Sequence, residues 1–204
     1  STRLIFLLII GTIPAVIFGL FWNEKSDQVF RTLDMTAILM IATGVVFMLG
    51  ELCYSEITNQ GFWAKIKNFL RIGGGGGSGE KIEKITWRQS LVIGIAQAIA
   101  IIPAISRSGS TIVAGIFQGI NRSSAAKFSF LLSIPALIGA GILTAMRAGS
   151  YNLEISGTGL LIGFFSSFIF GLISIHLLIT FLKNHTLKAF AVYLIVLGVA
   201  VKIL

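Results

Sequence analysis

Residues 91–120 read LVIGIAQAIAIIPAISRSGSTIVAGIFQGI, two apolar runs on either side of a polar centre. The first run carries Pro103 near its end. The centre is Ser106, Arg107, Ser108, Gly109, Ser110 and Thr111, and the second run stops at Asn121 and Arg122. Ten helical residues from Thr111 to Ile120 rise about 15 Å, half the thickness of a hydrocarbon core. A run that short fits a helix pair that enters and returns on one side better than two full crossings. Non-helical backbone at membrane depth is tolerated only where protein or a water-filled cavity satisfies it, so the polar tip predicts a cavity.

Outward from this centre the chain is apolar almost everywhere. Of 204 residues, 55% are hydrophobic and 12% are charged, about half the charged fraction usual in a soluble domain. The mean hydropathy is +0.91. A water-soluble globule is excluded. The net charge of +8 does not point to nucleic acid, because the Lys and Arg residues sit between apolar runs as flanking charges. One cysteine, Cys53, excludes an internal disulfide. Residues 4–22, 35–53, 128–146, 159–182 and 187–204 are each long enough to cross a bilayer, the last being bracketed by Lys188 and Lys202. None shows the alternation of a barrel strand. The expected fold is an all-α polytopic membrane protein with about five transmembrane helices plus one re-entrant pair.

The distribution of Lys and Arg gives an orientation. Lys65, Lys67, Arg71, Lys81, Lys84 and Arg88 place the loop after the second span in the cytoplasm. A re-entrant pair keeps Arg122 and Lys127 on that side, and the fourth span returns Lys183, His185 and Lys188 to it. The chain divides into residues 1–72, the glycine-rich run 73–79, and residues 80–204 with the re-entrant pair at about 90–120. The run 73–79 has the composition of a designed flexible linker. Ser1 precedes the first span without a starting Met, which reads as a processed or truncated end.

An Arg in the middle of an apolar stretch costs several kcal/mol if left to lipid, so Arg107 needs a partner and a task. Hydroxyls at Ser106, Ser108, Ser110 and Thr111, the small Gly109, and a helix starting near Thr111 would together make an anion site best suited to phosphate. Gln97 is placed to face the same cavity or to join two helices. Glu51 and Glu56 lie at a span end and read as solvated; His176 reads as a buried packing histidine; Asn121 reads as a helix cap. The competing interpretation of the polar tip is a packing kink of small residues.

The run QAIAIIPAISRSGST, residues 97–111, resembles the second signature of the bacterial undecaprenyl-diphosphate phosphatases, the bacitracin-resistance family. The resemblance implies an inverted-repeat membrane fold with two re-entrant pairs meeting at a central site. It implies an enzyme of the bacterial inner membrane, its site facing the periplasm. The reaction would be removal of the terminal phosphate of undecaprenyl diphosphate, recycling the lipid carrier of peptidoglycan synthesis, with Mg²⁺ or Ca²⁺ assisting. Carried onto this chain, Arg107, Ser106 and Thr111 become catalytic, and Arg107, Ser108, Gly109, Ser110 and Gln97 hold phosphate. The family's first motif, with its Glu residues and following His, has no counterpart here. Ile101 stands where that motif carries its second Glu, and Ser110 where it carries His. No metal ligand can therefore be assigned. The expected partners are the undecaprenyl diphosphate lipid and the membrane, and a homodimer is compatible with the sequence. The alternative is a lipid-phosphate transporter or flippase, which would use a midplane anion site without carboxylates.

Overall fold

Long apolar segments cannot leave backbone N–H and C=O groups unpaired in lipid, and these segments satisfy them as helices. The computed structural model describes residues 2–21, 28–58, 82–148 and 157–203. The glycine-rich run 73–79 and most of the basic loop before it lie outside the described residues, as do residues 149–156. Among the described residues seven α-helices follow in chain order: α1 (Thr2–Phe21), α2 (Leu33–Thr58), α3 (Trp87–Ile99), α4 (Arg107–Phe117), α5 (Arg122–Ala148), α6 (Gly157–Asn184) and α7 (Lys188–Ile203). A 3-10 turn, Ile82–Lys84, precedes α3.

Among the described residues four helices, α1, α2, α5 and α6, are long and apolar enough to cross a membrane. The fifth expected span departs from this. Its helix, α7, has 16 residues, about 24 Å of rise, because Lys188 and Lys202 bracket its apolar centre. It lies antiparallel along α2. Lys202 pairs with Asp34 at one end, and the Leu187 amide donates to Glu51 Oε1 at 2.8 Å at the other. Between them a β-carbon on Gly44 would stand 2.6 Å from Ile195 Cγ1, and one on Gly198 would stand 2.8 Å from Ile41 Cγ1. Small residues let the two backbones approach closely, the usual basis of helix association in lipid.

The pair α3–α4 occupies the centre. Thr86 and Gln89 form a capping box at the start of α3: the Gln89 amide donates to Thr86 Oγ1, and the Thr86 amide donates to Gln89 Oε1. The helix ends at Ala100 and unwinds through 3-10 turns to Pro103. Ala104 then takes φ 68°, a left-handed conformation that costs a residue with a β-carbon about 1–2 kcal/mol. Chain direction reverses at this point. At the far end of α4, Gln118 Nε2 donates back to the Gln89 carbonyl at 3.3 Å, so the two helices form a hairpin 13 and 11 residues long. The break and the two short helices fall where residues 91–120 predict them.

α1 runs parallel to α3. Arg3 donates to the Glu83 and Ile85 carbonyls, Ser90 Oγ donates to the Leu7 carbonyl at 2.5 Å, and a β-carbon on Gly94 would overlap the Gly11 carbonyl oxygen. α1 packs on α3 and α5, while α2 packs on α7 and α4. Arg3, the Ile85 region, Glu51, Arg122 and Leu187 all gather at one end of the bundle. These are the ends that the charge distribution assigns to a common side. Ser124 accepts this arrangement locally, its amide donating to Asn121 Oδ1 at 2.7 Å, so Asn121 does cap α5. His176 is exposed on the outer surface of α6, which corrects the reading of it as a buried packing residue.

Candidate functional site

Ser106 stands at the N-cap of α4 with extended backbone, and its hydroxyl oxygen accepts the Gly109 amide at 3.2 Å. The first intrahelical bond runs from the Ser110 amide to the Ser106 carbonyl at 2.9 Å. The helix therefore begins at Arg107, four residues before the start expected near Thr111. The physical reason is the cap: any serine in this run can accept an N3 amide, and Ser106 is the one that follows the turn at Ala104. Arg107 becomes the first helical residue, and the amides of Arg107 and Ser108 precede the ladder.

α4 and α5 are antiparallel neighbours. Arg107 Nη2 donates to the Ser133 carbonyl at 3.2 Å, Thr111 Oγ1 and Ser129 Oγ share a hydrogen bond of 2.6 Å, and a β-carbon on Gly115 would meet Ala125 Cβ at 3.0 Å. Ser133 lies eleven residues into α5, about 16 Å along its axis, so the guanidinium sits near mid-depth of the bundle. The bond to Ser133 is the one that the Arg107 guanidinium makes among the described residues. A guanidinium has five N–H donors, so most of the fork remains for a ligand.

The expected site residues separate into two groups. Ser106, Arg107 and Ser110 are half-buried and Ser108 is exposed at the start of α4. Ser110, three residues beyond Arg107 and hence on its side of the helix, lines an apolar cleft of about 330 Å³ between α2, α3 and α4, with Val46, Ile99, Ile105 and Phe117 among the other walls. Thr111 and Gly109 face elsewhere. The Thr111 hydroxyl is buried and engaged with the Arg107 and Ser108 carbonyls, at 2.9 and 3.0 Å, as well as with Ser129. It ties the first turn of α4 to α5 instead of presenting a free hydroxyl. Gly109 is buried, and a β-carbon there would overlap Phe47 Cζ, so the close approach it permits is that of an aromatic ring.

Gln97 is 2% exposed, and neither its Nε2 nor its Oε1 has a hydrogen-bond partner among the described residues. A polar group buried without a partner costs about 1–3 kcal/mol, and this amide can both donate to and accept from a ligand. The hairpin register that sets Gln118 against Gln89 puts Gln97 at the level of Ser110.

Glu51 overturns its reading as a solvated span end. Its side chain is 1% exposed, receives Arg122 Nη2 at 2.5 Å and Arg122 Nε at 3.0 Å, and accepts the Leu187 amide. The Arg122 guanidinium also stacks over the Tyr54 ring, 4.1 Å from its centroid. Glu51 thus joins α2, α5 and the start of α7 and is spent on that union. The Glu56 side chain lies outside the described residues. Sequence reasoning missed Phe47, Ser129 and Ser133; the only signal for the two serines was their four-residue spacing in an apolar span.

Chemically, the start of α4 offers a cation, hydroxyls and free amides, a donor set for an anion. Among the described residues no group of three His, Cys, Asp or Glu side chains is placed to hold a metal ion. These residues do not fit Mg²⁺ or Ca²⁺, whose ligands are carboxylate and carbonyl oxygens.

A family model described as bacitracin resistance protein BacA matches residues 1–200. The chain is 38% identical over 203 residues to an undecaprenyl-diphosphatase of Methanosphaera stadtmanae, which covers 99% of this chain and 64% of that protein. It is 33% identical to an undecaprenyl-diphosphatase of Chlorobaculum tepidum, covering 95% and 64%, and 38% identical to undecaprenyl-diphosphatase 3 of Bacillus cereus, covering 100% and 70%. The chain therefore spans less than two thirds of the length of the first two. With its helical membrane architecture and its Arg107-centred hairpin, the chain belongs to the bacitracin resistance protein BacA family.

Proposed function

We propose that the chain carries the phosphate-holding part of an undecaprenyl-diphosphate phosphatase, which releases the terminal phosphate of that lipid. The observation that carries this reading is Arg107. It is a half-buried cation at the first position of a helix at mid-depth, its guanidinium making one bond to protein among the described residues, and Ser110, three residues on, lines an apolar cleft. A lipid diphosphate is the ligand that combines a polyanionic head with an apolar chain, and both halves of that chemistry meet at Ser110. The names of the relatives point to the same substrate.

In this reading the Arg107 fork takes two oxygens of the diphosphate, and the amides of Arg107 and Ser108 add to it at the positive end of the α4 dipole. Ser106 keeps its hydroxyl proton free while its oxygen caps Gly109, so it donates to the ligand, as do Ser108 and Ser110. Gln97 contributes its amide at the same level. Thr111, through Ser129, holds this turn against α5. Negative charge that builds on the leaving phosphate is stabilised by donors fixed beforehand, the largest single term in most enzymes. A divalent cation would neutralise diphosphate charge when bound, but the residues described do not hold it, and no general base stands among them. Both belong to carboxylates and histidine elsewhere in the protein or its assembly. The end that gathers Arg3, Glu51 and Arg122 is the cytoplasmic one, and the tip opens towards the opposite, periplasmic side of the plasma membrane.

The test is binding of undecaprenyl diphosphate by the purified chain in detergent, beside Arg107→Ala. Binding that the substitution abolishes is the expected result. Lipid that binds in an Arg107-dependent way and is moved intact across vesicles would favour a carrier instead.

A further inference from the structure

We propose that Phe47 is a positioning residue for the Arg107 site, acting through Gly109 to set the first turn of α4. The inference rests on the diphosphate-binding reading above. Phe47 lies on α2, 3% exposed, and all three atoms closest to a β-carbon on Gly109 belong to its ring: Cζ, Cε2 and Cε1. Gly109 is also the residue whose amide closes the Ser106 cap. The ring and the cap therefore bear on the same peptide, and Arg107 is two residues before it. A shift of Gly109 away from α2 would lengthen the 3.2 Å cap bond and rotate Arg107 off the Ser133 carbonyl.

The crossing of α2 and α4 is reciprocal. One turn further on, Val113 of α4 fills the place left by Gly50 of α2, where a β-carbon would stand 2.7 Å from Val113 Cγ1. Each helix thus supplies one large residue and one glycine, which fixes the register of the two backbones in both directions along the axis. Immediately beyond, Glu51 is locked by Arg122 and the Leu187 amide, so α2 cannot slide to relieve a bulkier residue at position 109. Positions 47, 50 and 51 share one face of α2, and 109 and 113 share one face of α4. Phe47 has no hydrogen-bonding group of its own to offer a ligand, which makes its effect on binding an effect of geometry.

The experiment measures the affinity of the full chain in detergent for farnesyl diphosphate, a lipid diphosphate of manageable solubility, alongside the thermal midpoint of each protein. Gly109→Ala is expected to weaken binding at least tenfold, because its methyl group displaces the ring or the turn. Phe47→Leu lacks the three overlapping ring atoms, and the double variant F47L/G109A is expected to recover most of the lost affinity. Phe47→Leu alone, which leaves Gly109 without its seat, is expected to weaken binding about threefold to tenfold. If Gly109→Ala does not fold, the Phe47→Leu affinity and the rescue of folding and binding in the double variant decide the matter. Wild-type affinity in Phe47→Leu, or a double variant that binds no better than Gly109→Ala, overturns the positioning role while leaving the site intact. A wild-type chain that binds no farnesyl diphosphate overturns the diphosphate reading and this inference with it.

Discussion

Replacing Gln97 with Met should stabilise the ligand-free protein and weaken its grip on a diphosphate. Gln97 sits on α3 with 2% of its surface exposed, and both polar atoms of its amide lack partners among the described residues. Each buried polar group left unpaired costs about 1–3 kcal/mol, whereas an apolar side chain of similar shape pays no such penalty. Met is close to Gln in length, is unbranched and adaptable, and is at least as good a helix former. In a bilayer the unfolded helices also find polar partners, which reduces the difference, so a gain of about 1–2 kcal/mol is expected. The readout is equilibrium unfolding of the two proteins in mixed micelles without phosphate or lipid present. Binding of farnesyl diphosphate is then measured on both. Loss of an amide donor to a charged oxygen is worth about 1.5–3 kcal/mol, a weakening of about tenfold or more. An unfolding free energy that is unchanged or lower in Gln97→Met would refute the reasoning, because it would mean that the amide is satisfied within the folded chain.

Three further substitutions probe the frame around the site. Glu51→Ala leaves the Arg122 guanidinium and the Leu187 amide without their acceptor and should cost about 3 kcal/mol in the same unfolding assay, while E51L/R122L should recover much of that loss. Ala104→Gly relieves the positive φ at the reversal between α3 and α4 and should raise stability by about 1 kcal/mol; a decrease would mean that the left-handed turn is not kept in solution. Gly198→Leu drives a side chain into Ile41 and the Ala37 carbonyl and should separate α7 from α2, seen as protease sensitivity after α6; an unaltered digestion pattern would contradict the close packing of that pair.

The hairpin at residues 91–120 was legible because local signals agree there. Pro103 cannot continue a helix, the polar run follows at once, and the second apolar run is too short to cross. The four long helices were legible for the equally local reason of length and hydropathy. The inner details of the site were not. A run holding Ser106, Ser108 and Ser110 contains several acceptable caps, and the choice among them depends on the turn geometry at Ala104. Gly109 reads equally as room for a ligand or for a side chain, and Phe47, the side chain in question, comes from a helix 62 residues earlier. Glu51 looked solvated because charges at span ends usually reach water; its partner is 71 residues away. Opposite charges at two span ends assigned to one side were the available hint. α7 was the least regular of the expected spans, since the lysines that shorten it also fasten it, Lys202 to Asp34.

The central claim is that Arg107 holds the diphosphate of a polyprenyl lipid. Its most direct test is the affinity of the purified chain for undecaprenyl diphosphate in detergent, compared with Arg107→Ala and with Arg107→Lys, unfolding midpoints being recorded for all three. The account predicts that the wild-type chain binds, that Arg107→Ala loses binding at least a hundredfold with its fold retained, and that Lys, a point charge without the planar fork, restores only part. Equal affinity in wild type and Arg107→Ala would contradict the account.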